Sequence, residues 1–246
     1  VTPQRFAEAQ RAEAVHHREA WTHLHVGPLP HVQSIVDYRY WLESYYRTVL
    51  MFFGFGVEWF QGRSVIEIGS GPFGAVACLP PGDRVAVDPL MDEFAEYMRP
   101  QWTDGVVRLT ARGECLPLPD ERFDAAIMIN CLDHTDRPDK VLRELARVTR
   151  RGGKLFFMNN VKSRVGCLMA KLGEALRIRK LMEVYHPHAF TSASAIRLMA
   201  SAGWRLQGSA WSRARLESEH RKLSWKGRLR LLLNGESAFY GLFERT

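Results

Sequence analysis

With 246 residues, 46% of them hydrophobic, the chain can bury a sizeable core, and its length suits one α/β domain with additions better than two independent domains. Four widely spaced cysteines without a C-x-x-C pair argue against a disulfide framework and a cysteine-based zinc site, which fits a reducing cytoplasm as the expected location. A net charge of +7 speaks to non-specific attraction only, while the longest apolar run, Val49 to Val57, is far short of the roughly 20 residues that cross a bilayer, and the start shows no signal-peptide pattern.

From Val1 to about Pro30 the sequence is polar and helix-compatible, carrying His16, His17, Trp21, His23 and His25. His16 and His17 are adjacent, so on a helix they point in different directions, and no H-E-x-x-H spacing accompanies them; a solvated helix face is expected. The next segment, Ile35 to Phe60, concentrates Tyr38, Tyr40, Trp41, Tyr45, Tyr46, Phe52, Phe53, Phe55, Trp59 and Phe60. Such density predicts a helical region packed on the body of the domain, the alternative being that some of these rings roof a pocket. Residues 1–62 are therefore expected to form an N-terminal helical cap, part of the same domain as a core spanning 63–246.

That core begins with Val65-Ile66-Glu67-Ile68, a short buried strand, and Gly69, Gly71 and Gly74 follow in a G-x-G-x-x-G pattern. The pattern lets the backbone turn tightly beneath a ligand, but dinucleotide-binding domains share it, so the cofactor stays open at this point. Phe73 to Leu79 is expected to be the first helix, ended by Pro80-Pro81-Gly82-Asp83, and Arg84 to Val87 the second strand. Asp88 closes that strand about 17 residues after Gly71, near the position where an acid accepts hydrogen bonds from a ribose diol in a nucleoside-binding βαβ unit.

Val106 to Leu109 reads as a third strand, and a Pro-rich loop, Arg112 to Asp124, delivers Ala125 to Ile129 as a buried fourth. Asn130, Cys131, Asp133 and His134 emerge from its carboxyl end, where open α/β sheets place ligand-binding groups. Pro138 suits the first turn of a helix whose Val141, Leu142, Leu145 and Val148 keep helical spacing until Gly152-Gly153. Lys154 to Met158 is the fifth strand.

Residues 161–190 are longer than a simple connection and read as an inserted lid: Lys162, Arg164, Lys171, Arg177, Arg179 and Lys180 make it basic, and Leu168, Met169, Leu172, Leu176 and Leu181 make it amphipathic. A solvated surface helix is the competing reading. The insertion ends in Tyr185-His186-Pro187-His188-Ala189-Phe190. His186 and His188 are candidate bases near the mouth of a pocket, as is His134, because an imidazole titrates near neutral pH. Thr191 to Ala202 follows as a helix with Thr191 as N-cap and Gly203 as its stop, then two β-rich runs, Trp204 to Ala210 and Ala238 to Glu244. Between them Arg221 to Arg230 is basic, which leaves peripheral contact with an anionic membrane or RNA open, an ordinary helix before the last strand being preferred.

The ordered set Glu67-Ile68-Gly69-Ser70-Gly71, Asp88, the segment LPLPDERFD at 116–124 and Asp133-His134 before Pro138 resembles the class I S-adenosylmethionine-dependent methyltransferases. The resemblance covers about Ser64 to Asn159 and more loosely the rest. It implies a Rossmann-like, mostly parallel seven-stranded sheet with helices on both faces and an antiparallel last strand, and S-adenosylmethionine as cofactor. It further implies a cofactor set of Glu67, Gly69, Ser70, Gly71, Asp88, Pro89, Gly113, Glu114, Asn130 and Cys131. In it Glu67 would orient the ammonium, Asp88 the ribose and Gly113-Glu114 the adenine, with Asn130 and Cys131 beside the methyl donor. Family members often read D-A-E where this chain has Arg112-Gly113-Glu114, so the usual aspartate contact to adenine is missing. The expected activity is methyl transfer to an O or N atom of a small metabolite, such as a sugar or natural product. A small molecule is favoured over nucleic acid because no N-P-P-Y, D-P-P-Y or Pro-Cys nucleophile element is present. The alternatives are a non-catalytic methyltransferase-like binding protein and a dinucleotide-dependent oxidoreductase. No compact acid and histidine set is visible in the sequence, so no metal is expected.

Overall fold

A computed structural model of the chain describes residues 3–23, 35–98, 100–176, 186–212 and 237–246. Seven strands form one sheet: β1 (Val65–Ile68), β2 (Arg84–Asp88), β3 (Val106–Thr110), β4 (Phe123–Ile129), β5 (Thr149–Val161), β6 (Trp204–Ser212) and β7 (Ser237–Arg245), in spatial order β3-β2-β1-β4-β5-β7-β6. The first five run parallel, and β7 is antiparallel to both its neighbours, β5 and β6. Strand order therefore reverses between β1 and β4, and a crevice opens outside their carboxyl ends, the usual ligand position of such sheets.

Alternation along the buried strands assigns the two faces. Ile66 and Ile68 of β1, Ala126 and Met128 of β4, and Leu155 and Phe157 of β5 face α4 (Pro138–Val148) and α6 (Ser192–Ser201). On α4 the i, i+1, i+4, i+7 set Val141, Leu142, Leu145 and Val148 is fully buried, each side chain contributing roughly 1.5–3 kcal/mol. Trp204 seals this layer by donating Nε1–H to the Leu142 carbonyl at 3.1 Å. The opposite face, with Val65, Ala125, Ile127, Ile129, Phe156 and Met158, is covered by α2 (Ile35–Met51) and α3 (Met91–Phe94). There Phe53, Phe55, Trp59 and Phe60 crowd edge-on or tilted around Phe156, so this half of the aromatic segment is core.

Three expectations about element limits are corrected. The helix expected at Phe73 to Leu79 is one 3₁₀ turn, Ala75–Cys78, because Val76 N–H is captured by the Glu67 carboxylate at 2.9 Å and Pro80-Pro81 follows at once. Gly152-Gly153 does not end α4. The helix stops at Val148, and β5 begins at Thr149, four residues before Gly153. β5 is thus longer than Lys154 to Met158, and its register with β4 shifts between Phe123 and Ala125, with Gly152 at φ +74° taking up the turn. The Thr191 cap is present, with reciprocal Thr191 and Ser194 hydrogen bonds forming a capping box.

α5 (Arg164–Ala175) carries the described part of the basic insertion; its Arg177, Arg179, Lys180, Leu181 and Tyr185, like Arg221 to Arg230 and His25, lie outside the described residues. Among the described residues no helix is long and apolar enough to cross a membrane.

Candidate active site

A cavity of about 480 Å³ lies in the crevice between the carboxyl ends of β1 and β4, within the range of small-molecule sites. Its floor is the loop after β1, Gly69 to Phe73. Its side walls are Asp88 to Leu90 after β2, Ala111 to Glu114 after β3, and Asn130 and Cys131 after β4. Nine of the ten residues expected to hold a cofactor therefore border one space, and Glu67 does not.

The glycines are explained by what a side chain would strike. A Cβ on Gly69, at φ +67°, would lie 2.4 Å from Cys131 Cβ, so β1 and β4 can close the crevice floor only around a bare backbone. Gly71, at φ +59°, turns its amide onto Asp88 Oδ2 at 3.0 Å. At Gly74 the obstacle would be Glu67 Oε2, 2.4 Å away. Glu67 shares a strand face with Val65, which turns its carboxylate behind the loop and away from the cavity. Burial pushes this carboxyl up to about 8, against the pull of the Val76 and Ala75 amides.

Asp88 is 8% exposed, and its two oxygens accept from Gly71 N and Leu90 N, so the acid ties the glycine loop to the turn after β2. Burial raises its pKa, opposed by those two amides. Glu114 accepts from the Asp136 and Arg137 amides at the start of α4, at 3.0 and 3.1 Å. Gly113 fits beneath Ile68 and Val141, where a Cβ would sit 3.0 and 3.1 Å from their methyls, so the D-A-E alanine would need those neighbours to give. Arg112 takes the place of the family aspartate and lies over the Phe6 ring at 4.8 Å, beside Glu114 and Asp136. Asn130 sits at φ +50°, a left-handed position asparagine tolerates better than most, and accepts from Asn160 Nδ2 at 2.9 Å.

The roof is the larger correction. α1 (Pro3–His23) lays Phe6, Ala9, Gln10, Glu13, His16 and His17 along the cavity, and α2 adds Tyr38, Leu42, Tyr45 and Tyr46. The expected solvated face is therefore not what His17 has: its ring packs edge-on to Phe94 at 5.3 Å, and its Nε2 lies 3.2 Å from Glu13. His16 is exposed at the rim. The signal was present in the i, i+3, i+4, i+7 spacing of Phe6, Ala9, Gln10 and Glu13, which marks one helix face. Among the described residues of the insertion, none from 164–176 lines this cavity.

The three candidate bases fall in two groups. His134 and His186 line the cavity with their rings 4.4 Å apart, edge-on, and Asp133 binds His186 Nδ1 at 2.7 Å. His134 Nδ1 reaches Glu13 Oε2 at 3.3 Å, linking the roof to the end of β4. Burial is the largest single influence on His134 and opposes its charge, but the Glu13 hydrogen bond and the Asp133, Glu13 and Asp88 carboxylates together outweigh it and raise the imidazole pKa. Burial likewise pushes the Glu13 and Asp133 carboxyls up, yet their histidine partners hold both below the usual carboxylate range. His188 does not line the main cavity: it borders a smaller one with Asp133, His186, Lys162 and Phe190, contacts the Asp136 carbonyl at 3.3 Å, and has its pKa pushed down by burial. The absence of a compact acid and histidine set is also corrected, for Asp133, His134 and His186 meet across a long sequence separation.

A parallel sheet ordered 3-2-1-4-5-7-6 with strand seven reversed, and a cavity at its switch point, define the class I methyltransferase fold. Residues 66–157 match the family model described as a methyltransferase domain, and the fold is that of the class I S-adenosylmethionine-dependent methyltransferases. Over 100 residues it is 34% identical to an uncharacterised methyltransferase of Mycobacteroides abscessus, a match covering 38% of each chain; the curated relatives are matched over about two fifths of their length. A structure described as a putative methyltransferase of Bacillus halodurans aligns with TM-score 0.60 and 13% identity over 82% of this chain and 100% of its own. A geranyl diphosphate C-methyltransferase of Streptomyces coelicolor, solved with Mg2+, geranyl diphosphate and S-adenosylhomocysteine, aligns with TM-score 0.59 and 10% identity over 82% and 79%. At these identities the structural likeness is one of fold.

Proposed function

We propose that the chain transfers a methyl group from S-adenosylmethionine to an oxygen or nitrogen atom of a small molecule, with sugars and natural products as the acceptor class. The observation that carries this reading is that the glycine loop, Asp88 and the paired imidazoles of His134 and His186 border one roofed cavity. The cofactor fits the floor: Gly69 lets β1 and β4 close beneath it, Gly71 holds a left-handed backbone that a side chain would strain, and the Asp88 and Glu114 carboxylates stand along the wall.

Bound there, S-adenosylmethionine supplies an already activated methyl group, so the protein has to align the acceptor and exclude water. Asp88 keeps the loop in shape and offers spare lone pairs to a ribose diol. Glu67 supports the loop from behind. Gly113, Arg112 and Phe6 would hold the adenine end, where the Arg112 guanidinium would offer a flat stacking face in place of the aspartate contact. α1 and the tyrosines of α2 roof the site, which favours a small acceptor over a nucleic acid strand. His186, oriented through Nδ1 by Asp133, is the group placed to take a proton from an acceptor hydroxyl or amine. His134, paired with Glu13, holds the roof, its pKa raised above that of an ordinary imidazole.

Incubating the chain with methyl-labelled S-adenosylmethionine and fractionated metabolites tests the reading. Label is expected in a small-molecule fraction. No label in any fraction, together with retrieval of one protein partner, would favour the non-catalytic alternative.

A further inference from the structure

We propose that Asp133, His134 and His186 form a binding site for a first-row transition-metal dication at the acceptor end of the cavity. Each offers a ligand atom, and the three atoms lie within 4.8 Å of one another. Two imidazoles and one carboxylate are a donor set suited to zinc, cobalt or iron(II), and less so to magnesium or calcium, which prefer all-oxygen cages.

Two further features point to a cation. Asp133 is 4% exposed, and while its Oδ2 binds His186, its Oδ1 is buried without a hydrogen-bond partner among the described residues. A buried carboxylate oxygen left unpaired is costly, and a metal ion satisfies it directly. That oxygen faces His134 Nε2 at 3.9 Å, too far for a hydrogen bond yet close to the span of two ligands that each bind one ion at about 2.0–2.2 Å. Second, Glu13 occupies the other nitrogen of His134, Nδ1, at 3.3 Å. A carboxylate on the distal nitrogen is the arrangement that orients metal-binding histidines and fixes their tautomer.

Asp133 and His134 come from the 3₁₀ turn Leu132–His134 after β4, and His186 comes from the end of the insertion, so the set assembles only on folding. Because His134 and His186 border the main cavity, an ion there would keep a side open to an acceptor oxygen; His186 would then be a ligand and no longer a free base, and the ion in its place would make a hydroxyl easier to deprotonate. This last consequence rests on the methyltransferase reading; metal binding itself does not.

The test is calorimetric titration of the full, chelator-treated chain with Zn2+ and with Co2+, the cobalt form also followed by its visible absorption. One ion per chain is expected, with Asp133→Asn, His134→Ala and His186→Ala each weakening binding by about 100-fold or more and Glu13→Gln by roughly 10–100-fold. His188→Ala should leave affinity unchanged. S-adenosylhomocysteine affinity of each protein is measured in parallel. A variant that keeps it is folded, and a wild type that binds S-adenosylhomocysteine but holds no ion more tightly than Asp133→Asn would overturn the metal site while sparing the methyltransferase reading. An ion bound without S-adenosylhomocysteine binding would do the reverse.

Discussion

Glu13 on the N-terminal helix and His134 beyond the end of β4 meet at 3.3 Å across the mouth of the cavity. The contact joins the roof to the sheet, and Glu13 also holds His17 on the same helix. Its strength depends on charge at both ends. His134 has its pKa raised above 6.5, so its contribution is complete below about that pH and is lost as pH rises through the raised value. Glu13 is held below 4.5, so its contribution is present above that value and fades only in strong acid. Amide exchange over α1, corrected for intrinsic rates, should show greatest protection near pH 5–6.5 and less at pH 9. The expected loss is about 1 kcal/mol, the low end for a charge-assisted hydrogen bond that solvent reaches. His134→Gln should remove the part of the alkaline loss that is local to α1.

Gly69 and Gly54 both have positive φ, but only Gly69 is confined. Alanine at Gly54 meets nothing within 4 Å and should cost about 1–2 kcal/mol from backbone strain alone. At Gly69 the added methyl must displace Cys131, so the thermal midpoint should drop further and S-adenosylhomocysteine binding should fall with it. Equal effects of the two substitutions would mean that β1 and β4 do not close against each other.

Glu67 makes the chain sensitive to mild alkali. Its carboxyl, ordinarily near 4.5, is raised to about 8 by burial, so its neutral form is the one the fold accommodates. Stability from this group is complete below about 4.5 and is lost as pH rises through 8, a difference on the order of a few kcal/mol. Denaturant midpoints at pH 5.5 and 8 should therefore differ more for the wild type than for Glu67→Gln.

The two histidines flanking Pro187 should separate in kinetics. His186 lines the cavity and is bound by Asp133, whereas His188 braces the Asp136 carbonyl beside the smaller cavity. Once an acceptor is in hand, His186→Ala should lower turnover by about 100-fold or more, the usual scale of proton-transfer assistance, with cofactor affinity little changed. His188→Ala should cost much less.

Most of the sheet is legible in the sequence because its strands are short apolar runs ending in Gly, Asp or Asn. The side walls of the cavity follow, since those ends must gather at the switch point. Strand alternation also speaks to Glu67: it shares a face with Val65, which predicts a carboxylate turned behind the loop. The roof is harder to read. A face that lines a cavity mixes Phe6 and Ala9 with Gln10, Glu13 and His17, so its hydrophobic periodicity is weak although its spacing is helical. Hardest is the grouping of Asp133 with His186, 53 positions apart, because no local pattern connects the turn after β4 to the end of the insertion.

Calorimetric titration with S-adenosylhomocysteine and, separately, with NAD tests the central assignment most directly. One S-adenosylhomocysteine per chain is expected, weakened about tenfold or more by Asp88→Ala through loss of hydrogen bonds to a charged group, with no comparable heat from NAD. Tight binding of NAD alone, or S-adenosylhomocysteine binding indifferent to Asp88→Ala, would contradict the assignment of this cavity.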